Sequence, residues 1–239
     1  MSRAAPSVPG GRAWILTCEH ASCAVPREYR SLGLRRAALR DHIGWDLGAH
    51  ALQQAVGREL GAACVASRWS RLLVDCNRDP ADPGLILATS DGVAIPGNAR
   101  VSRAERRRRV DDFHAPYHRA VERAIARLER RGLRPRLLSL HSFTPIMGGV
   151  VRKLDIGVLY DRHRGLAHRL GAALRAGGWR VKYNEPYSGL AGLIYSARRH
   201  GDAAGIEYVE LEINNVLLRQ PGTIARVGHD VVRALRAIG

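Results

Sequence analysis

The chain has 239 residues, 46% of them hydrophobic and 25% charged, an ordinary globular composition with enough length to bury one full core. No apolar stretch approaches the ~20 residues that span a bilayer, and the Pro/Gly-rich start MSRAAPSVPGGRA lacks the apolar centre of a secretory leader. The 38 basic against 22 acidic residues give a net charge of +16, but the arginines are spread along the chain and aromatics are only 5%, which argues against a nucleic-acid surface. These features predict a soluble cytoplasmic protein with a flexible tail over residues 1–12 and a single domain over 13–239. Cys18, Cys23, Cys64 and Cys76 are widely spaced and predict reduced thiols.

In chain order, residues 13–18 predict a strand that stops at Glu19 and His20. Residues 46–60 predict a helix with Leu52, Val56 and Leu60 on one face and Asp46 at its start. Residues 71–76 predict a strand and 80–96 a loop. A long helix opens near Ser102, whose hydroxyl fits a capping box with Glu105, and it bends or restarts near Pro116. Its run RAERRRRVDD contains its own acids and predicts a solvated face. Strands follow at 136–141 and 155–160, then a helix at 164–176 that ends at Gly177 and Gly178, then a strand at 179–183. Residues 184–205 read as a loop, 206–213 as a strand, and a last helix opens near 222. This alternation predicts an α/β fold with a central, mostly parallel or mixed sheet flanked by helices on both faces.

Two histidines sit where apolar runs stop, His20 after AWILTCE and His141 after RLLSL, and a third run, IEYVELE, ends on Glu212. The ends of parallel strands converge on one crevice, so these residues can meet there as two metal ligands and a general base. A catalytic zinc takes three protein ligands of the His and carboxylate type. Asp46 is the favoured third, because the free N–H groups of a helix start stabilise a carboxylate; Glu19, His42 and Cys23 are its alternatives. Glu210 shares the strand face of Glu212, and two acids on one face call for pairing or a function. Arg71, Asn77 and Arg78 are candidate ligands for an anionic substrate, since guanidinium forks bind carboxylates in two-pronged fashion. His114 and His118, one helical turn apart, and Arg152 are further candidates for contact with the substrate.

Taken in order, the segments CEHASCAVP, HIGWDLGA, SRLLVDCNRDP, HAPYH, LHSFTP, DIGVLYD, NEPYS and YVELEINN resemble the N-formylglutamate amidohydrolase family over residues 17–218. No piece is specific alone; the ordered set is. The resemblance implies kinship with zinc carboxypeptidase and aspartoacylase-type hydrolases. It implies a central mixed sheet, Zn2+ or another divalent cation, and a small anionic N-acyl amino acid such as N-formylglutamate as substrate. It further implies that Asn77 and Arg78 grip the substrate carboxylate, that Arg71 polarises the scissile carbonyl, and that Glu212 is the general base. The chain departs from the pattern at Cys23, where the wider group has a glutamate ligand. It also reads EINNV, with Asn214 and Val216, where family members read EIRND, and has Ala21 and Ser22 in place of glycines. Two readings compete: a hydrolase of another N-acyl amino acid or peptide-like amide, and a basic nucleic-acid-binding protein with a lapsed metal site.

Overall fold

The computed structural model describes residues 11–239. One sheet is built from β1 (Arg12–Cys18), β2 (Ala63–Ala66), β3 (Arg134–Phe143), β4 (Ile156–Leu159), β5 (Val181–Tyr183) and β6 (Tyr208–Asn214). The strands lie in the order β2-β1-β3-β6-β4-β5. The first four of that order run parallel, β4 is antiparallel to β6, and β5 follows β4. The expected α/β class with a mixed sheet is therefore the one that forms. Most of the expected tail lies outside the described residues, and Arg12 already belongs to β1, where its guanidinium donates to Gly239 O at 2.9 Å.

Apart from one short turn of helix at Arg36–Leu39, the helices are α1 (Ala49–Leu60), α2 (Arg103–Arg109), α3 (Ala115–Glu129), α4 (Arg164–Ala176), α5 (Tyr195–Ala204) and α6 (Pro221–Ala237). Strand alternation sends Leu16, Leu138, Leu140, Val209 and Leu211 towards α1, α4 and α6, and Ile15, Leu137 and Tyr208 towards α3 and α5. Each such leucine or isoleucine, fully buried, contributes about 1.5–3 kcal/mol. On the α3/α5 face the strands turn polar near their C-terminal ends: Thr17 in β1, Ser139 and His141 in β3, Glu210 and Glu212 in β6, all buried. The register sets Glu210 beside Ser139 and Glu212 beside His141. Both acids thus lie in an interior strand and not on a wet edge, and this end of the sheet is where buried polarity must be satisfied.

Three expected elements differ. Residues 71–76 are a run of turns, with Leu73 N donating to Ser70 O at 3.0 Å and Arg78 N to Asp75 O at 3.1 Å. Their apolar triplet Leu72, Leu73 and Val74 is buried in clusters under the loops, against Leu32, Ile95 and Leu85, so it carries strand-like hydrophobicity without a ladder. The edge position is filled instead by the short β2. Helix α1 starts at Ala49, which leaves Asp46 in the preceding turn. The 184–205 stretch contains α5, a helix whose buried face is made of Tyr195, Ser196, Ala197, His200 and Gly201 and lacks leucine, isoleucine or valine. It packs so close to β6 that a Cβ at Gly201 would sit 1.9 Å from the Tyr208 ring.

The helix expected from Ser102 does restart: a π turn at Val110–His114 separates α2 from α3 just before Pro116. Ser102 Oγ accepts from Glu105 N at 3.1 Å, but the Glu105 carboxylate turns to Arg109 Nε at 2.8 Å and leaves the capping box half made. Arg109 is buried and donates to Leu73 O and to Asn98 Oδ1 at 3.2 and 2.7 Å, so the arginine run is partly a clamp on the loops and not wholly solvated. In β4, Gly157 lies beside Glu212, and a Cβ there would meet Glu185 O at 2.0 Å. The 184–187 segment therefore rests directly on the sheet. No described helix is long and apolar enough to cross a membrane, and the four cysteines are free.

Candidate active site

A cleft of about 330 Å3 opens at the C-terminal ends of β1, β3 and β6 and is lined by His20, Asp46, Arg71, His141, Tyr187 and Glu212 among others. His20 leaves the end of β1, His141 sits inside β3, and the Asp46 turn is tied to both. Asp46 N donates to His20 O at 2.9 Å, and Ser142 N donates to Asp46 Oδ2 at 3.2 Å.

Three ligand-type atoms converge. His141 Nδ1 lies 2.7 Å from Asp46 Oδ2 and 3.1 Å from His20 Nδ1, and His20 Nδ1 lies 3.4 Å from Asp46 Oδ2. The far nitrogen of each ring faces a carboxylate: His20 Nε2 donates to Asp75 Oδ1 at 2.7 Å, and His141 Nε2 to Glu19 Oε2 at 2.9 Å. Those bonds keep a proton on each Nε2 and turn both Nδ1 atoms towards Asp46, where a bound cation would replace the second proton that His141 otherwise holds. Donor atoms around a tetrahedral zinc stand about 3.3 Å apart, given metal–nitrogen distances near 2.0–2.1 Å, and carboxylates behind ligating imidazoles are the usual support. The donor set fits a divalent cation, and His20, Asp46 and His141 are the group of described residues that could hold one.

Charge points the same way. Glu19, Asp46, Asp75, Glu210 and Glu212 are all buried around the two imidazoles, faced directly by the guanidinium of Arg71. Burial opposes ionisation of Asp46, but His20 and His141 outweigh it and hold its carboxyl well below the usual range. Burial is likewise overcome at Asp75 by His20 and Arg71, and at Glu19 by His141, Ser139 and Tyr117. Burial also disfavours charge on His141, yet Glu210, Asp46 and Glu19 together raise its pKa well above normal. Glu210 and Glu212 are pushed up to about 8, chiefly by burial and then by neighbouring acids. Glu212 Oε2 is buried with no hydrogen-bond partner. A cluster with this many carboxylates and an orphaned oxygen is short of positive charge.

The alternatives for the third position fall elsewhere. Glu19 stands behind His141 and accepts from Ser139 Oγ at 2.6 Å and from the Tyr117 hydroxyl. His42 is on the outer wall, 3.0 Å from Asp41 and 2.9 Å from Asp91, and Cys23 does not line the cleft. Because 71–76 is a turn, Arg71 and Arg78 both reach the cleft despite their separation in sequence. Arg71 Nη2 donates to Asp75 Oδ2 at 2.9 Å, and its Nη1 lies 3.2 Å from His20 Nδ1. Asn77 lines the cleft, but its amide is engaged with α5: Oδ1 accepts from Ser196 N at 2.9 Å and Nδ2 donates to Leu193 O at 3.3 Å.

Arg152 does not line the cleft; it stands against Tyr187, donating to the hydroxyl at 3.2 Å and to Thr144 O at 3.3 Å. His114 and His118, expected as substrate contacts, lie buried beneath the Arg78 turn and are not among the residues lining the cleft, because the π turn and α3 face inward there. The residues missed as supports are Asp75, Ser139, Tyr117 and Tyr187. Only Ser139 carried a signal, two residues before His141 on the same strand face.

The matching family model is that of N-formylglutamate amidohydrolase and spans residues 12–219. The chain belongs to the N-formylglutamate amidohydrolase family. A gene product of Agrobacterium tumefaciens is similar in structure, with a TM-score of 0.90 and 33% identity over 94% of this chain and 89% of that one. An N-formylglutamate amidohydrolase from Ralstonia eutropha JMP134 is similar with a TM-score of 0.71 and 25% identity, covering 97% of this chain and 95% of that one. A metallo-carboxypeptidase from Burkholderia cenocepacia overlaps at 16% identity and a TM-score of 0.41, over 97% of this chain and 57% of that one. No curated protein matches the chain. The family's ordered segments and its sheet are thus both present.

Proposed function

We propose that the chain is a divalent-metal-dependent amidohydrolase that removes a formyl or other short acyl group from the nitrogen of an amino acid, with N-formylglutamate as its reference substrate. The observation that carries this reading is the convergence of His20 Nδ1, Asp46 Oδ2 and His141 Nδ1 in the same cleft as Glu212. Those three residues would hold Zn2+ or another divalent cation. Such a cation, when bound, supplies a water with a pKa near about 7 and a Lewis acid for the scissile carbonyl.

The chain's own groups do the rest. Glu212 takes a proton at its unpartnered Oε2 and returns it to the leaving amine; burial raises its pKa to about 8, and His141 and Arg71 act against that rise and favour the carboxylate that the base role requires. Arg71, half-buried at the cleft wall, faces the developing negative charge on the carbonyl oxygen, and an oxyanion donor is worth about 3 kcal/mol. Arg78, whose side chain is a third exposed and only loosely paired with Asp82 at 3.6 Å, grips the α-carboxylate as a fork. Asn77 holds the turn that presents it. Arg152 stands behind Tyr187, outside the cleft lining, and steadies that hydroxyl at the rim.

Kinetics on a panel of N-formyl and N-acetyl amino acids test the reading, with elemental analysis of the purified chain and of His141→Ala. Turnover of at least one panel member together with a stoichiometric divalent metal is expected. A metal-free chain that hydrolyses none of them would sink the proposal.

A further inference from the structure

Three more histidines are buried together outside the cleft, and the chemistry above uses none of them. His114 from the π turn, His118 from α3 and His200 from α5 are 1%, 0% and 2% exposed. His114 Nε2 lies 3.0 Å from Arg78 O, His118 Nε2 lies 3.2 Å from His114 Nε2, and His118 Nδ1 lies 2.8 Å from His200 Nε2.

The acceptors fix the direction of this chain. A carbonyl oxygen can only accept, so the proton of His114 is on Nε2. His118 Nε2 then faces that single proton as a second, longer acceptor, so the His118 proton is on Nδ1, donated to His200 Nε2. The rings of Tyr117 and Tyr195 close over His118 at 5.1 and 5.8 Å between centroids. The chain of bonds ends on the backbone of Arg78. From the other side, Leu193 O and Ser196 N hold the amide of Asn77.

The residues so held are in a turn and have no sheet ladder of their own. The Arg78 guanidinium is only loosely paired, so its direction depends on where its backbone sits. We propose that His114, His118 and His200 form a hydrogen-bonded bracket that fixes the Asn77–Arg78 backbone and so aims Arg78 at a substrate carboxylate. The proposal rests on the reading of Arg78 given above. The three histidines are positioning residues: they touch the grip from beneath and never the substrate.

The test is steady-state kinetics on an N-formyl amino acid and on its amide, in which the α-carboxylate is replaced by a neutral group. His114→Phe deletes the donor to Arg78 O. It is expected to raise KM for the acid about tenfold with kcat within about twofold, and to leave the amide unaffected. His114→Gln restores a side-chain N–H at similar reach and is expected to recover most of the loss. Where the Phe variant fails to fold, His114→Asn, polar but too short to reach the carbonyl, is expected to show the same rise in KM. Arg78→Ala separates the two layers of argument. If it leaves KM for the acid unchanged, the carboxylate grip itself is wrong. If it raises KM while the His114 variants do not, the bracket is wrong. Equal losses on acid and amide, or a fall in kcat at constant KM, also overturn the bracket.

Discussion

The protein buries two groups of histidines, and their surroundings make them opposites. His20 and His141 each have a carboxylate behind the ring, Asp75 and Glu19, and their free nitrogens converge on a third, Asp46. His114, His118 and His200 have aromatic rings and one another for company, and their one outward bond goes to a backbone carbonyl. Carboxylates raise the proton affinity of the first pair against the pull of burial. Burial first, then the nearby Arg199 cation, lowers that of the second group. The lesson is that burial does not decide what a histidine does; the group behind its far nitrogen does.

The contrast can be broken most forcefully at the metal. His141→Ala is expected to abolish both stoichiometric metal and turnover, whereas His118→Phe keeps its metal; elemental analysis of the two proteins side by side decides, and metal retained by His141→Ala would end the distinction. Next in size, Glu212→Gln is expected to lower kcat by about 10²–10⁴-fold with metal content unchanged, since it removes a proton carrier and no ligand. Glu19→Gln sharpens the carboxylate argument: it takes the charge from behind His141 and should weaken metal binding by about 10–100-fold in competition with a chelator. Unaltered affinity would show that the backing acid is merely packing.

The smallest effect is one of stability against pH. Burial pushes His200 down to about 4, while an unfolded histidine titrates near about 6.5. Above 6.5 neither state holds the proton and stability is complete. As pH falls from 6.5 towards 4 the unfolded chain gains a proton that the folded one refuses, so stability falls by about 1.4 kcal/mol per pH unit for each such histidine. His200→Gln should flatten the decline by roughly that one-proton slope in urea unfolding between pH 7 and 5. An unchanged slope would place His200 among the charged histidines.

Much of this arrangement was legible in the sequence because β1, β3 and β6 announce themselves as apolar runs that end in His20, His141 and Glu212. The limits of α4 were equally plain from Leu166, Leu170 and Leu174 and the Gly177–Gly178 stop. The misreadings share one cause, which is burial achieved without a period. Leu72, Leu73 and Val74 are all buried under loops, so hydrophobicity alone imitates a strand. Helix α5 buries Tyr195, Ser196, Ala197, His200 and Gly201, small or polar residues that leave no apolar stripe to detect. His114 and His118 share a helical face, but nothing in their spacing says whether that face looks into the cleft or beneath it. Glu19 stands next to His20 and Asp75 two residues before Asn77, and only the fold shows which ring each acid backs.

Gly157 never reaches the cleft, yet it gauges the opening from below. The Glu185 carbonyl oxygen occupies the space a side chain there would need, so strand and overlying segment behave as one wall with Tyr187 as its lip. A single methyl at that position would lever the lip outward. The width of the opening is therefore set in part by a residue that has no side chain.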